Sequence, residues 1–411
     1  MKHIYCLFNF VIVLSLSLLL TLSSCTVVRP NTLIYDYFYF SHQSIFLHKD
    51  KKQLSSMLLS IPQAYKVQDV QLSSSKEYFA FSAIQDEQYV LFIAKADGSD
   101  MKRIHSAPYI NFKWSPTKDQ LAFIERNQSS SLFFLTKHEI DQAVLIAEAE
   151  AFSWSPHGLY LCLMKKETTS HSLHLIRNDG TGLRFVVKGQ FIDWNEDGQF
   201  FYVAQHSSPS SKLFVFSYDA NLHEEIVYET FSDVKLRNSS EQKSTQFSFT
   251  IDQKKQFEHY NPHNKNREIV EKPGVIDFVN GKSEASSWEV FIRQLEDRQE
   301  LVFNHGNEDQ VISQGEHIYF NSFSPDELRI IAIVQNGKQK SVQVIDSTNN
   351  TWDFIASGES IGNIIWHKDA SRLAINIDQK TLLIVFDQNL MVTTLDDTRF
   401  LDWKTSGSSI K

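Results

Sequence analysis

Apolar positions along this chain return at a fixed pitch. In "FKWSPTKDQLAFIE" (Phe112–Glu125) a Trp is followed by a polar turn, then by Leu121 and Phe123, seven and nine places after Trp114. Trp154 is followed in the same way by Leu161 and Leu163, Trp194 by Phe201 and Val203, Trp366 by Leu373 and Ile375, and Leu72 by Phe79 and Phe81. Phe323 is followed by Ile330, after which the alternation slips by one. Period-two alternation after a polar turn predicts a strand, a turn and a second strand. The anchors lie 42, 40 and 40 residues apart from Leu72 to Trp194, and 43 and 37 apart from Phe323 to Trp403.

A second landmark keeps register with the first. Asp97 in "LFIAKADGSD", Asp179 in "LHLIRNDGTG" and Asp219 in "LFVFSYDANL" each fall 25 residues after an anchor. Asp-Gly and Asp-Ala-Asn between alternating apolar runs predict tight hairpins, because these residues tolerate positive φ. A unit of about 40 residues holds four strands of about six residues and their turns. Repeated, it predicts an all-β fold, a single β-propeller of four-stranded blades. The anchor Trp would end an inner strand and bury its ring between blades. Ser would bond to the turn backbone, and Pro would preset φ in the turn.

The blade count depends on 129 residues between Trp194 and Phe323. Leu236 in "DVKLRN" and Phe278 in "VIDFVN" are candidate anchors there, separated by polar stretches. The region reads as two degenerate blades or as one blade with a long insertion. "LIYDYFYF" (Leu33–Phe40) and "SIFLHKD" (Ser44–Asp50) read as strands. The final anchor, Trp403, has no blade after it, so its strand is expected to complete the blade begun by residues 33–60, closing the ring and removing its free edges. The expectation is about eight blades, with seven possible and nine if the region splits. "KHEIDQAVLIAEAEAF" (Lys137–Phe152) has the Ala and Glu of a helix. Its place in the repeat predicts turn and strand instead.

The first residues do not share this pattern. Lys2 precedes an apolar stretch, Leu7–Leu22, followed at once by "LSSC" (Leu22–Cys25). This is the layout of a secretory signal rather than a spanning helix. "LSSC" resembles a bacterial lipobox. That resemblance implies cleavage before Cys25 and acylation of its thiol and new amine, giving a signal peptide at 1–24, a lipidated tether at 25–32 and a propeller at 33–411. Thr26 after the cysteine implies the outer membrane, facing the periplasm. The chain has 411 residues and a net charge of −9, or −10 without residues 1–24. Nothing concentrates Lys or Arg for phosphate contacts, which argues against nucleic-acid binding.

Candidate chemistry is sparse. Of three cysteines, Cys6 lies in the signal, Cys25 would carry lipid, and Cys162 in "LYLCLMK" reads as a buried packing residue. No C-x-x-C or H-E-x-x-H pattern supports a metal, and His171 and His174, three apart in an expected strand, point to opposite faces. "GESIG" (Gly358–Gly362) fits G-x-S-x-G with Ser360 as nucleophile. Only His367 follows it, with no Asp between, so it reads as an inter-blade turn.

"WSPTKDQLAF", "WSPHGLYLCL", "FSPDELRIIA" and "LFIAKADGSD" resemble the PD40 (WD40-like) repeats of the TolB-like propeller family, shared by prolyl-oligopeptidase and dipeptidyl-peptidase relatives. The resemblance covers residues 68–220 and 318–404. It implies a propeller without the separate α/β domain that TolB carries, since the roughly 40 residues before Leu72 cannot hold one. The resulting expectation is a non-catalytic, membrane-anchored protein-interaction scaffold of the bacterial cell envelope, with no cofactor. By analogy with TolB, its partner would be an envelope protein such as a peptidoglycan-associated lipoprotein. The alternative expectation is an enzyme or a small-ligand or glycan binder using the propeller funnel.

Overall fold

A computed structural model describes residues 36–404 except 50–51, 129, 137–141, 169, 207–209, 240–243, 252–253, 283–286, 306–307 and 387–389. The expected signal, tether and lipid site at Cys25 lie outside the described residues. Among the described residues, 36 strands form nine four-stranded antiparallel sheets. Each sheet is one repeat of the sequence, and its first strand is innermost. Eight blades follow in chain order, at residues 66–107, 109–148, 151–188, 190–229, 231–270, 275–315, 317–358 and 361–395. The ninth is composite: Arg399–Trp403 is its inner strand, paired with Tyr37–Ser41 and followed by Ser44–Lys49 and Leu54–Ser60. The closing strand touches both Lys66–Leu72 of the first blade and Arg372–Ile377 of the eighth. The ring is therefore shut by joining the two ends of the chain, as the sequence predicts.

The turn after the anchor explains the recurring Ser. Ser73, Ser115, Ser155, Asn195, Ser324 and His367 each donate a backbone N–H to the carbonyl five residues on, at 2.8–2.9 Å. The side chains add a second bond: Ser155 Oγ accepts from Tyr160 N–H at 3.1 Å, Asn195 Oδ1 from Phe200 at 2.8 Å and Ser324 Oγ from Arg329 at 2.9 Å. These residues are almost wholly buried, so their polar atoms need those partners. In the Asp-Gly hairpins Asp97 Oδ1 accepts from the N–H and hydroxyl of Ser99, and Asp179 Oδ1 from those of Thr181. Those bonds hold both carboxyls below the usual carboxylate range. Gly98 is required twice: its φ is +86°, and a Cβ would fall 1.6 Å from the Leu58 carbonyl oxygen of the closing blade.

The anchor rings are buried between blades. Trp114, Trp154, Trp194 and Trp403 are 3–9% exposed. Three of them also stitch neighbouring inner strands together. The Trp114 indole N–H donates to the Gln71 carbonyl at 3.3 Å, Trp154 to Lys113 at 3.3 Å and Trp403 to Ile365 at 3.2 Å. In each case the acceptor is the residue just before the preceding blade's anchor. Trp366 makes the same reach to Ser322 Oγ, at 3.0 Å. The indoles of Trp114, Trp154 and Trp403 thus fill inter-blade gaps and each satisfies a backbone acceptor there.

The expectation of about eight blades is corrected to nine. Residues 231–270 and 275–315 form two complete blades, not one with an insertion. Leu236 pairs with Phe247 and Phe278 with Phe291, as Trp114 pairs with Leu121. The repeat was hard to see there because other interactions replace the indole. Arg237 donates to the Phe278 carbonyl at 2.6 Å and to Asp277 Oδ2 at 2.9 Å, linking the fifth blade to the sixth. Fully buried Glu258 of the fifth blade accepts two bonds from Arg267 of the same blade, at 2.8 and 2.9 Å, and one from the Tyr228 hydroxyl of the fourth, at 2.9 Å. A carboxylate so buried is tolerated because all its charge is met by matched donors. The Ala- and Glu-rich segment follows the repeat: Ala143–Glu148 is a strand, while 137–141 lie outside the described residues.

Two predictions follow from this packing. Trp114→Ala should cost about 3–5 kcal/mol in denaturant unfolding, whereas Trp114→Phe, which keeps a ring but loses the N–H, should cost about 1 kcal/mol from the bond alone. A loss below about 1 kcal/mol for the alanine variant would place the ring outside the core. The second concerns Lys76, whose ammonium meets Asp402 of the closing strand. Burial pushes its pKa down to about 8. That lies below the unfolded value of about 10.4, so the unfolded chain binds more protons between the two, and stability should rise with pH across that window. Lys76→Met should flatten the rise; an unchanged slope would assign it to another group.

Candidate functional site: a polar cleft at the ring seam

A cleft of about 450 Å³ opens where the eighth, closing and first blades meet. It lies at the starts of the inner strands Ile361–Trp366, Arg399–Trp403 and Lys66–Leu72. The anchors sit at the opposite ends of these strands, so the cleft opens on the face remote from the Ser-bearing turns. Because the closing blade joins both chain ends, it combines residues more than 350 positions apart in sequence.

Its wall is held rigidly from behind. Asn376, 8% exposed, lies between the eighth and closing blades. Its Oδ1 accepts from Phe400 N–H at 2.8 Å and its Nδ2 donates to the Phe400 carbonyl at 3.1 Å. The amide thus pairs with Phe400 as a strand residue would. The Thr381 hydroxyl also donates to Asn376 Oδ1, at 2.9 Å. Arg399 donates to Asp69 Oδ1 at 2.6 Å and to the Gln68 carbonyl at 3.1 Å, fixing the closing strand to the first blade.

The groups facing the cleft come from tight turns. His42 and Gln43, between Tyr37–Ser41 and Ser44–Lys49, have φ of 47° and 58°, the pair of positive values that a two-residue hairpin demands. Asp378 and Asp397 are also left-handed, at 51° and 50°. Asp, Asn and His are the non-glycine residues that most often accept this region. Ser41 sets the protonation pattern of His42. Its hydroxyl donates to the Asp397 carbonyl at 2.7 Å, so in the 2.7 Å contact with His42 Nδ1 the imidazole is the donor. A neutral His42 held this way keeps its proton on Nδ1 and leaves Nε2 as an acceptor.

Ser360 lies on the same cleft, but not on a nucleophile elbow. The strand Thr351–Gly358 precedes it and the strand Ile361–Trp366 follows, where an elbow requires a helix. The Ser360 N–H donates to Asp378 Oδ1 at 2.8 Å, beside that of Glu359 at 3.1 Å, and the Ser360 carbonyl accepts from Asp378 N–H at 2.8 Å. Gly358 has a spatial reason as well: a Cβ there would lie 2.5 Å from Asp378 Oδ2. The inter-blade turn expected from "GESIG" is therefore built around Asp378, and it presents Ser360 to a cleft shared with His42 and Asp397. Only His367 follows Ser360 in the chain, but His42 reaches the same cleft because ring closure brings residues near 42 to residues near 397.

The other candidates lie elsewhere. Cys162 is buried beside Trp194, and burial, then Asp193, raises its thiol well above the usual value. His171 lies 3.5 Å from Glu150, while half-buried His174 contacts Ser172 at 3.2 Å and the Phe185 ring. The two histidines take different partners rather than converging.

No family model and no curated protein matches the chain. Solved structures do share its architecture. A eukaryotic initiation factor aligns with a TM-score of 0.58 at 12% identity, over 90% of this chain and 98% of its own. A prolyl endopeptidase aligns with a TM-score of 0.44 at 7% identity, over 79% of this chain and 55% of its own. TolB from Acinetobacter baumannii aligns with a TM-score of 0.33 at 11% identity, over 88% of this chain and 78% of its own. These likenesses concern the fold. A fold by itself fixes no activity, so the expectation that the chain is not an enzyme is withdrawn.

Replacing His42 by Gly tests whether the imidazole serves the fold. Glycine relieves about 1 kcal/mol of left-handed strain and loses a partly exposed hydrogen bond of about the same size. Unfolding free energy should stay within about 1 kcal/mol of wild type; a larger loss would make the ring a structural element.

Proposed function

We propose that this chain is a bacterial lipoprotein, anchored through Cys25, whose propeller holds a recognition cleft close to the membrane of the cell envelope. The seam cleft carries this reading. It is enclosed on three sides by different blades, its wall is locked by the Asn376 and Arg399 bonds, and several polar side chains face it. A rigid scaffold presenting turn residues is the usual way such folds bind. The lipobox-like "LSSC" supports the anchor. Two or more acyl chains hold a protein on a bilayer durably, where one is marginal, at about 0.8 kcal/mol per buried methylene. The ligand is accordingly a component of the envelope.

Two measurements test the halves of this reading. Intact-mass analysis should find a mature chain beginning at Cys25 with acyl groups added, and Cys25→Ser should move the protein from the membrane to the soluble fraction. An unmodified Cys25 would refute the anchor. A photo-crosslinking residue at Gln379, on the cleft, should capture an envelope component in cells, whereas one at exposed Lys118, on the anchor-turn face, should not. Equal capture at both, or none at Gln379, would refute the cleft.

A further inference from the structure

The geometry points to a neutral, hydroxyl-rich ligand in the seam cleft, a short saccharide; this rests on the reading of the cleft as the recognition site. Charge removes the first alternatives. Among the described lining residues, Arg399 is the guanidinium, and it is already committed to Asp69 and the Gln68 carbonyl. Asp378 and Asp397 add two carboxylates. A phosphate, nucleotide or carboxylate ligand would meet like charge with no uncommitted cation to offset it. The cleft is instead rich in acceptors. Asp378 Oδ1 is taken by the Glu359 and Ser360 N–H groups, and Oδ2 stands apart from those bonds. A neutral His42 presents Nε2 as an acceptor, since Nδ1 donates to Ser41. Asn363, Gln379 and Ser360 add groups that both donate and accept.

A sugar hydroxyl is suited to such a wall, because it donates to a carboxylate or imidazole nitrogen and accepts from an amide. Bonds to ionised acceptors are the stronger ones. The remaining lining matches the other half of a saccharide. Half-buried Phe40 and Val67 give the cleft an apolar side, against which the C–H face of a pyranose can lie. The volume of about 450 Å³ falls within the range of small-ligand sites, roughly 300–1,000 Å³. A cation is the competing ligand for an acidic cleft. Against it, one oxygen of Asp378 is already saturated by two backbone N–H groups, which spends part of that carboxylate's charge.

The test uses the full-length lipidated protein in detergent, probed with an array of neutral oligosaccharides and, separately, with spermidine and inorganic phosphate. At least one saccharide should bind. Asp397→Asn and Gln379→Ala should each weaken it about tenfold or more, with melting temperature unchanged, while Lys118→Ala should bind as wild type. Asparagine tolerates the left-handed turn at 397, so loss of binding there reports lost charge rather than misfolding. No saccharide bound, undiminished binding in both cleft variants, or binding of spermidine or phosphate in place of sugar would each overturn the inference. If no saccharide binds but the crosslinker at Gln379 still captures an envelope component, only the ligand class falls. If neither binding nor capture occurs, the cleft itself falls.

Discussion

One hydrogen bond recurs at three junctions of this wheel and shows what every junction must supply. An indole N–H at the end of one inner strand reaches back to the carbonyl just before the anchor of the preceding blade, as Trp114 does to Gln71 and Trp154 to Lys113. Inner strands of neighbouring blades are not paired in a common sheet, so their polar groups at the junction need other partners. The indole is large enough to fill the wedge between two sheets and carries its donor at the correct edge. The bond alone contributes about 1 kcal/mol; ring burial contributes more. Where the indole is present, their conjunction ties together the two blades it lies between.

Where the indole is absent, charge takes over. Arg237 bonds to Asp277 and the Phe278 carbonyl, and Arg399 bonds to Asp69 and the Gln68 carbonyl. Both guanidiniums reach forward to the next blade. This explains which parts of the fold could be read from sequence. Trp, Ser and Pro at a fixed pitch are visible because one residue type does the same task each time. Ring closure was legible too, because an anchor strand at Trp403 with no blade to follow must borrow its partners from residues near 37. The fifth and sixth blades were obscure because an arginine at 237 and a buried Glu258–Arg267 pair leave no periodic mark. Nine blades rather than eight result from two repeats that kept the sheet and changed the fastening.

The cleft was less legible for a related reason. Apart from Ser360 and Gly362 of "GESIG", none of its lining residues belongs to a motif, and they converge only once the ring is shut. His42, Asp378 and Asp397 are ordinary turn residues in the linear chain; their left-handed φ values show that they occupy demanding positions. Ser360 was noticed through G-x-S-x-G, yet the pattern described a turn built around Asp378. Residues far apart in chain order are adjacent across the seam. The same seam is where the closing strand is tied to its neighbours through Asn376, Arg399 and Ser41.

Closure of a nine-bladed ring by the two chain ends is the claim on which the cleft depends. It can be tested by placing cysteines at Phe40 and Arg399, opposite one another in the strand pair Tyr37–Ser41 and Arg399–Trp403, with Cys162 changed to Ala. Opposed side chains in antiparallel strands have Cβ atoms about 4.5–5.5 Å apart, within reach of a disulfide after small adjustments. The account predicts that mild oxidation links the pair in the folded protein and raises the melting temperature, since the bond spans nearly the whole chain. Failure to form the link while the protein stays folded, or its formation only after unfolding, would contradict closure and remove the cleft with it.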